Sequence, residues 1–450
     1  MDREFDVVVL GAGPAGEVAA GRLGEAGLEV ALVEAHLIGG ECSYYACMPS
    51  KALLRPAELA AEVRRVPGLT VTGPDPAAVL ARRDEVIHEL DDSSQLPWLE
   101  QRGVTVVRGF GRLDGERRVR VAGDLLTARR AVVVATGSGA VLPSIPGLSE
   151  SRPWTNREAT TTQTVPASLV VVGGGVVGVE LAQVWASLGS RVVVIEGGPR
   201  LIAREEEFAS EQVEAALREA GIDVHVGAKA VSVERESEVT VELDDGSRVS
   251  GTELLVAVGR RPATQDLGLE TVGLEPGSSI DVGNDLRSKA HNWLYAIGDV
   301  NGRSLLTHMG KYHARLASDS ILGKQVEIRS DGALSPRVIF TDPQVAAVGY
   351  TLAGAREAGL DVRAVDVGSG ANAGGSFVGR NAPGTARLVV DESRRVIVGA
   401  TFTGAAVAES LHAATIAVIA EVPLSTLWHA VPAFPTRSEL WLRLLETYGL

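Results

Sequence analysis

Cysteine is almost missing from this chain of 450 residues: there are two, Cys42 and Cys47. That scarcity excludes the disulfide-stapled fold of a small secreted domain. Two thiolates with no histidine pair at ligand spacing also underfill a tetrahedral zinc site, so no resident metal is expected. Aromatic residues make up only 4%, and lysine is rare, with five against 38 arginines. No run of lysine or arginine forms a basic patch, and a net charge of −14 repels a phosphate backbone or an anionic lipid surface. Nucleic acid is therefore not an expected partner. No apolar stretch approaches the roughly 18 residues of a membrane helix, so no membrane partner is expected either. The first residues, Met1-Asp2-Arg3-Glu4-Phe5, lack the basic, apolar and small-residue segments of a secretory signal, which points to the cytoplasm. With 45% apolar and 22% charged residues the chain reads as soluble and globular, and its length suits about three domains.

What the chain has in excess is glycine, 51 residues, and the glycines recur in one design. Val7-Val8-Val9-Leu10 is followed by Gly11-Ala12-Gly13-Pro14-Ala15-Gly16, a helix over 17–27, and a second strand from Val30 that ends at Glu34. Leu169-Val170-Val171-Val172 is followed by Gly173-Gly174-Gly175-Val176-Val177-Gly178, a helix through Leu188, and a strand over 191–195 that ends at Glu196. The first glycine stands 23 positions before the acid in both copies. A lone GxGxxG motif is weak. Between a β-branched strand and an amphipathic helix, with an acid at the next strand end, it reads as a dinucleotide site. The first glycine makes the tight turn, the second admits a pyrophosphate, the third lets helix pack on strand, and the acid accepts from ribose hydroxyls. Two dinucleotides are expected. Glu196 repels a 2′-phosphate and favours NAD(H), while Arg200, four residues on, leaves NADP(H) open.

The cysteines lie directly after the first unit, in Gly39-Gly40-Glu41-Cys42-Ser43-Tyr44-Tyr45-Ala46-Cys47-Met48-Pro49-Ser50-Lys51. A close pair in a reducing compartment is more often catalytic than structural, though two small buried side chains would also fit. Five residues of regular helix rise about 7.5 Å, beyond the usual Cα separation of a disulfide. A bridge there needs a loosened turn, and Pro49 supplies one because it cannot donate to the Tyr45 carbonyl.

On these motifs the sequence resembles the pyridine nucleotide–disulfide oxidoreductase family over essentially its whole length. Further carriers of the resemblance are Ala135-Thr136-Gly137, Gly259-Arg260-Arg261-Pro262, Tyr295-Ala296-Ile297-Gly298-Asp299 and Phe340-Thr341-Asp342-Pro343. The resemblance implies an α/β fold with two Rossmann-like domains and a C-terminal α+β dimerisation domain. An FAD-binding domain over 1–150 and 265–330 would hold FAD at the first glycine loop. An inserted domain over 151–264 would hold NAD(P)H at the second, and 335–450 would build a homodimer. It further implies that Asp299 binds the ribityl chain of FAD and that Lys51, paired with Glu180, sits near flavin N5. Cys47 would be the thiol against the flavin and Cys42 the one that exchanges with substrate. A solvated surface lysine is the plain alternative for Lys51.

The resemblance breaks near the C-terminus. Members that reduce disulfides end in a His-Pro-Thr-x-x-Glu box whose histidine moves the proton in thiol exchange. Here the chain reads Phe434-Pro435-Thr436-Arg437-Ser438-Glu439, so a phenylalanine stands at the histidine position and the glutamate remains. General acid–base help is worth about 10²–10⁴-fold, a severe loss for a dithiol or disulfide substrate. Three escapes are open: an acceptor that needs no such base, His429 turned into the role, or a proton from Tyr44 or Tyr45. The expected enzyme is an FAD-dependent oxidoreductase passing hydride from NAD(P)H to a Cys42–Cys47 disulfide. From there the electrons reach a small-molecule acceptor, a disulfide or a thiophilic metal ion. A flavin-centred quinone reductase with auxiliary cysteines and a non-catalytic flavoprotein scaffold or sensor are the alternatives.

Overall fold

The computed structural model describes residues 2–380 and 382–450 and divides into two compact units. The first gathers 1–49, 84–140 and 260–332. Its centre is a parallel run of strands in which β1 (Asp2–Leu10) lies between β2 (Val30–Glu34) and strand Asp124–Val134. Val104–Arg108 extends the sheet beyond β2, and Leu294–Ala296 pairs in parallel with Asp124–Val134. Val7, Val8, Val9 and Leu10 are all buried, as strands covered on both faces must be, and a continuous β-branched run is the sequence form of that burial. Helix α1 spans Pro14–Glu25, starting three residues before the sequence reading places it. Pro14 takes the first helical position, where the missing N–H costs nothing.

Two helices carry the cysteines, α2 (Gly40–Tyr44) and α3 (Cys47–Arg65). Between them Tyr45 leaves the helical region with φ −132°. Pro49 falls in the first turn of α3, and the break lies where its missing N–H leaves the Tyr45 carbonyl without a helical donor.

The second unit gathers 50–83, 141–259 and 333–450. Its four-stranded parallel sheet runs Asp223–Val226, Arg191–Glu196, Ser168–Val172, Glu253–Val256. A five-stranded antiparallel sheet is formed by Arg337–Ile339, Gln344–Gly349, Val396–Gly404, Thr385–Asp391 and Val362–Gly368. Residues 50–83 belong here, whereas the sequence reading runs the first segment unbroken to 150. Leu53, Leu54, Val79 and Leu80 are buried in one apolar cluster with Leu169, Val171 and Trp185, and that burial decides their membership. In the same unit a short 3₁₀ turn, Val407–Ser410, leads into helix Leu411–Ile419; Ala414 and Ala417 are buried while Ile416 is exposed.

Candidate active site

Both glycine loops fold alike. Gly11 has φ +96°, and a β-carbon on it would stand 2.5 Å from the Ala135 carbonyl oxygen. A β-carbon on Gly16 would stand 1.8 Å from the Gly11 oxygen, so α1 reaches the strand end only with glycine there. A β-carbon on Gly13 would meet nothing within 4 Å. That open space beside the N-terminus of α1, with Pro14 and Ala15 in its first turn, is where the pyrophosphate of a dinucleotide fits. Gly173, Gly175 and Gly178 repeat the pattern at 2.4 Å, nothing, and 1.8 Å. The acids repeat too. Glu34 accepts from the backbone N–H of Ala12 (2.6 Å) and His36 (2.7 Å), and Glu196 from Gly174 and Gly198 (both 2.6 Å). Each carboxylate thus clasps its own loop, a role the sequence reading did not assign. Arg200 is committed elsewhere: its guanidinium donates to the carbonyls of Glu205 and Ala203 and to Ser210 Oγ.

The cysteine pair sits against the first loop. Gly39 N–H donates to the Ala12 carbonyl (2.7 Å), and a β-carbon on Gly40 would stand 2.8 Å from Gly13 Cα. Cys42 and Cys47 are half-buried thiols within hydrogen-bonding reach of each other. The bond to Cys47, and then burial, push the Cys42 thiol far up, so the pair's proton stays on Cys42. Thr307, at the start of helix Thr307–Ile321, brings Oγ1 to 3.3 Å from Cys47 Sγ and also bonds Cys42. Sequence reasoning missed Thr307; it lies 260 residues from Cys47 and no spacing signals the contact.

Asp299 and Arg260 meet through Ser138. Ser138 Oγ donates to Asp299 Oδ2 (2.6 Å) and accepts from Arg260 Nε (2.7 Å), and Arg260 Nη2 donates to the Ser138 carbonyl (2.6 Å). Burial raises the Asp299 carboxyl, against the pull of Ser138 and Arg260. Gly259, with φ +140°, directs the chain into strand Arg260–Pro262, which pairs with Ser138–Ala140. Gly298 opens the 3₁₀ turn that carries Asp299. Thr136 donates to the Ala263 carbonyl (2.9 Å), and Gly137 accepts from Ala263 N–H (2.9 Å).

In the second unit Lys51 Nζ lies 2.6 Å from Glu180 Oε2 and 4.8 Å from the centre of the Phe340 ring. Glu180 is 3% exposed, and its other oxygen accepts from Phe340 N–H (2.9 Å). The plain alternative, a solvated lysine, does not describe this pairing.

The proton donors weighed for the missing histidine fare differently. Phe434 is 76% exposed. Glu439 is buried, and its Oε2 has no hydrogen-bond partner among the described residues. His429 is exposed on the turn after helix Leu424–Leu427. Tyr44 is buried, and burial together with the charges of Asp92 and Glu17 pushes its hydroxyl up to about 12, which makes it a weaker acid than a free tyrosine. Among the described residues no cluster of three or more His, Cys, Asp or Glu could hold a metal ion, and no helix is long and apolar enough to cross a membrane.

The pyridine nucleotide-disulphide oxidoreductase model matches residues 5–315, and the dimerisation domain of the same family matches 335–444. Dihydrolipoyl dehydrogenase of Chlorobaculum tepidum is 36% identical over 97% of this chain and 95% of its own. Mercuric reductase of Staphylococcus aureus is 28% identical over 97% of this chain and 81% of its own. Among solved structures, the Cu(II) complex of the HOCl-induced flavoprotein disulfide reductase RclA from Escherichia coli aligns with a TM-score of 0.87 at 25% identity, covering 99% of both chains. The chain belongs to the pyridine nucleotide–disulfide oxidoreductase family, FAD-dependent enzymes that pass hydride from NAD(P)H through the flavin to a redox-active disulfide.

Proposed function

We propose that this enzyme takes its electrons from NADH and delivers them, through the Cys42–Cys47 pair, to a thiophilic metal ion as substrate. The observation that carries the choice of acceptor is Phe434 at the histidine position. Reducing an external disulfide releases a thiolate that must be protonated, and phenylalanine has no proton to give. Reducing a metal ion does the reverse. The thiol–thiolate pair loses two electrons and one proton to reform the Cys42–Cys47 bond, and the proton goes to water. Two ions falling by one charge each, or one ion falling by two, balance the step. The mercuric reductases and the Cu(II) complex of RclA support this direction.

Bound FAD supplies the two-electron link between nicotinamide and sulfur. We assign its pyrophosphate to Gly11, Gly13, Pro14, Ala15 and Gly16, its adenosine ribose to Glu34, and its ribityl side to Asp299, held by Ser138 and Arg260. Gly40, Thr136, Gly137, Gly259 and Gly298 shape the backbone around it. The nicotinamide nucleotide takes Gly173, Gly175, Gly178 and Glu196. NADH is favoured because Glu196 is an anion where a 2′-phosphate would lie, and Arg200 has its donors committed. Lys51, fixed by Glu180, offers a positioned ammonium to the flavin. Cys47 faces the flavin and Cys42 the acceptor. We further propose a homodimer in the cytoplasm, where NADH is supplied. Val431, Phe434 and Ile416, all within the dimerisation match, are 84, 76 and 54% exposed, apolar side chains available to a second copy.

The test is anaerobic oxidation of NADH and NADPH with Cu(II), Hg(II), lipoamide, glutathione disulfide and quinones, run on wild type and Cys47→Ser. The expected result is turnover of metal ions by wild type alone, NADH preferred, with disulfides slower by about 10²–10⁴-fold. Lipoamide turning over as fast as the metal ions would overturn the choice of acceptor. Quinone turnover that survives Cys47→Ser as the main activity would move the chemistry to the flavin.

A further inference from the structure

Reduction leaves negative charge on the Cys42–Cys47 pair, and the fold of the first unit starts a lysine-bearing helix against it. Helix Thr307–Ile321, 15 residues long, starts at the sulfurs, with Thr307 Oγ1 at 3.3 Å from Cys47 Sγ and bonded to Cys42 as well. Lys311 follows four residues later, one turn along the same helix face. The helix crosses α1 tightly, since a β-carbon on Gly310 would stand 3.3 Å from Ala15 Cβ. Lys311, the next residue, is exposed, and its charge acts both on Cys42 and on Glu17 of α1.

We propose that Lys311 balances the negative charge the Cys42–Cys47 pair acquires on reduction and thereby sets the pair's reduction potential. The inference rests on reading this pair as the redox disulfide. Two electrons and one proton from solvent convert the sulfur–sulfur bond into a thiol on Cys42 and a thiolate on Cys47. A nearby cation stabilises that product and leaves the neutral disulfide untouched. The helix N-terminus adds its partial positive charge in the same direction. Glu17 is the acid that faces Lys311 from α1. Burial pushes its carboxyl up to about 7, so near neutrality a large share of it is protonated and leaves the ammonium uncancelled.

The experiment equilibrates the FAD-loaded full chain, without oxygen, in dithiothreitol redox buffers and traps the thiols by alkylation. Lys311→Met is expected to make reduction of the pair about tenfold harder, a midpoint about 30 mV more negative, while Lys311→Arg keeps the wild-type midpoint. A wild-type midpoint in Lys311→Met would overturn the inference. So would an Arg variant that falls as far as the Met variant, because the effect would then be structural. Because the buffer and not NADH sets the poise, the two readings fail separately. A pair that NADH cannot reduce sinks the redox assignment, whatever Lys311→Met does in the buffer.

Discussion

Two titratable residues of the first unit, one buried and one half-buried, pull stability in opposite directions. His313, on helix Thr307–Ile321, is fully buried, and its Nδ1 accepts from the N–H of Gly298 (3.3 Å). Burial pushes it down to about 4, so the folded protein keeps it neutral. Its contribution is complete above pH 6.5 and is lost as pH falls toward 4, because the unfolded chain binds a proton the folded one refuses. Glu17, raised to about 7 by burial, behaves in the opposite sense. Its contribution is complete below pH 4.5 and is lost as pH rises through 7. Each slope is at most about 1.4 kcal/mol per pH unit, so between pH 4.5 and 6.5 they offset one another. Urea denaturation across that window should show His313→Gln gaining stability as pH falls relative to wild type, and Glu17→Gln losing it. Parallel curves for all three proteins would mean that neither group titrates as its burial requires.

At the scale of the element, the first glycine loop separates folding from cofactor retention. Gly16→Ala drives a methyl to 1.8 Å from the Gly11 carbonyl oxygen, so α1 cannot seat on the strand end. Overpacking of this kind costs about 1–3 kcal/mol or more, and a lowered melting temperature is expected with and without FAD. Gly13→Ala meets no protein atom and should melt like the wild-type apoprotein, yet its methyl fills the space a pyrophosphate needs. The flavin-to-protein absorbance ratio after purification should fall for both variants, and the apoprotein melting temperature only for Gly16→Ala. Equal flavin content in Gly13→Ala and wild type would remove this loop as the FAD site. Strand ends and acids at these loops were legible because they depend on neighbours in sequence. The sequence reading starts α1 three residues late because a proline inside a glycine loop looks like a loop residue, whereas Pro14 takes the first helical position.

For the molecule as a whole, the prediction concerns assembly. Val431, at 84% exposure, is the most exposed large apolar side chain of the described residues, and it lies in the segment matched by the dimerisation domain. In sedimentation the wild type should run at twice the chain mass and Val431→Asp at the chain mass, with metal-dependent NADH oxidation falling in step. A wild type that sediments as a single chain would dispose of the homodimer.

The amino-acid order alone determined the two nucleotide loops, the acids 23 positions beyond them and the cysteine box, because each is built from residues adjacent along the chain. The pairing of Lys51 with Glu180, 129 positions away, came only from likeness to a family; no periodicity encodes it. Tertiary structure alone seated residues 50–83 in the second unit, put Thr307 on the sulfurs, with Lys311 one turn along the same helix, and buried Tyr44. Such contacts depend on which apolar faces bury together, and that is settled by packing in three dimensions rather than by spacing along the chain.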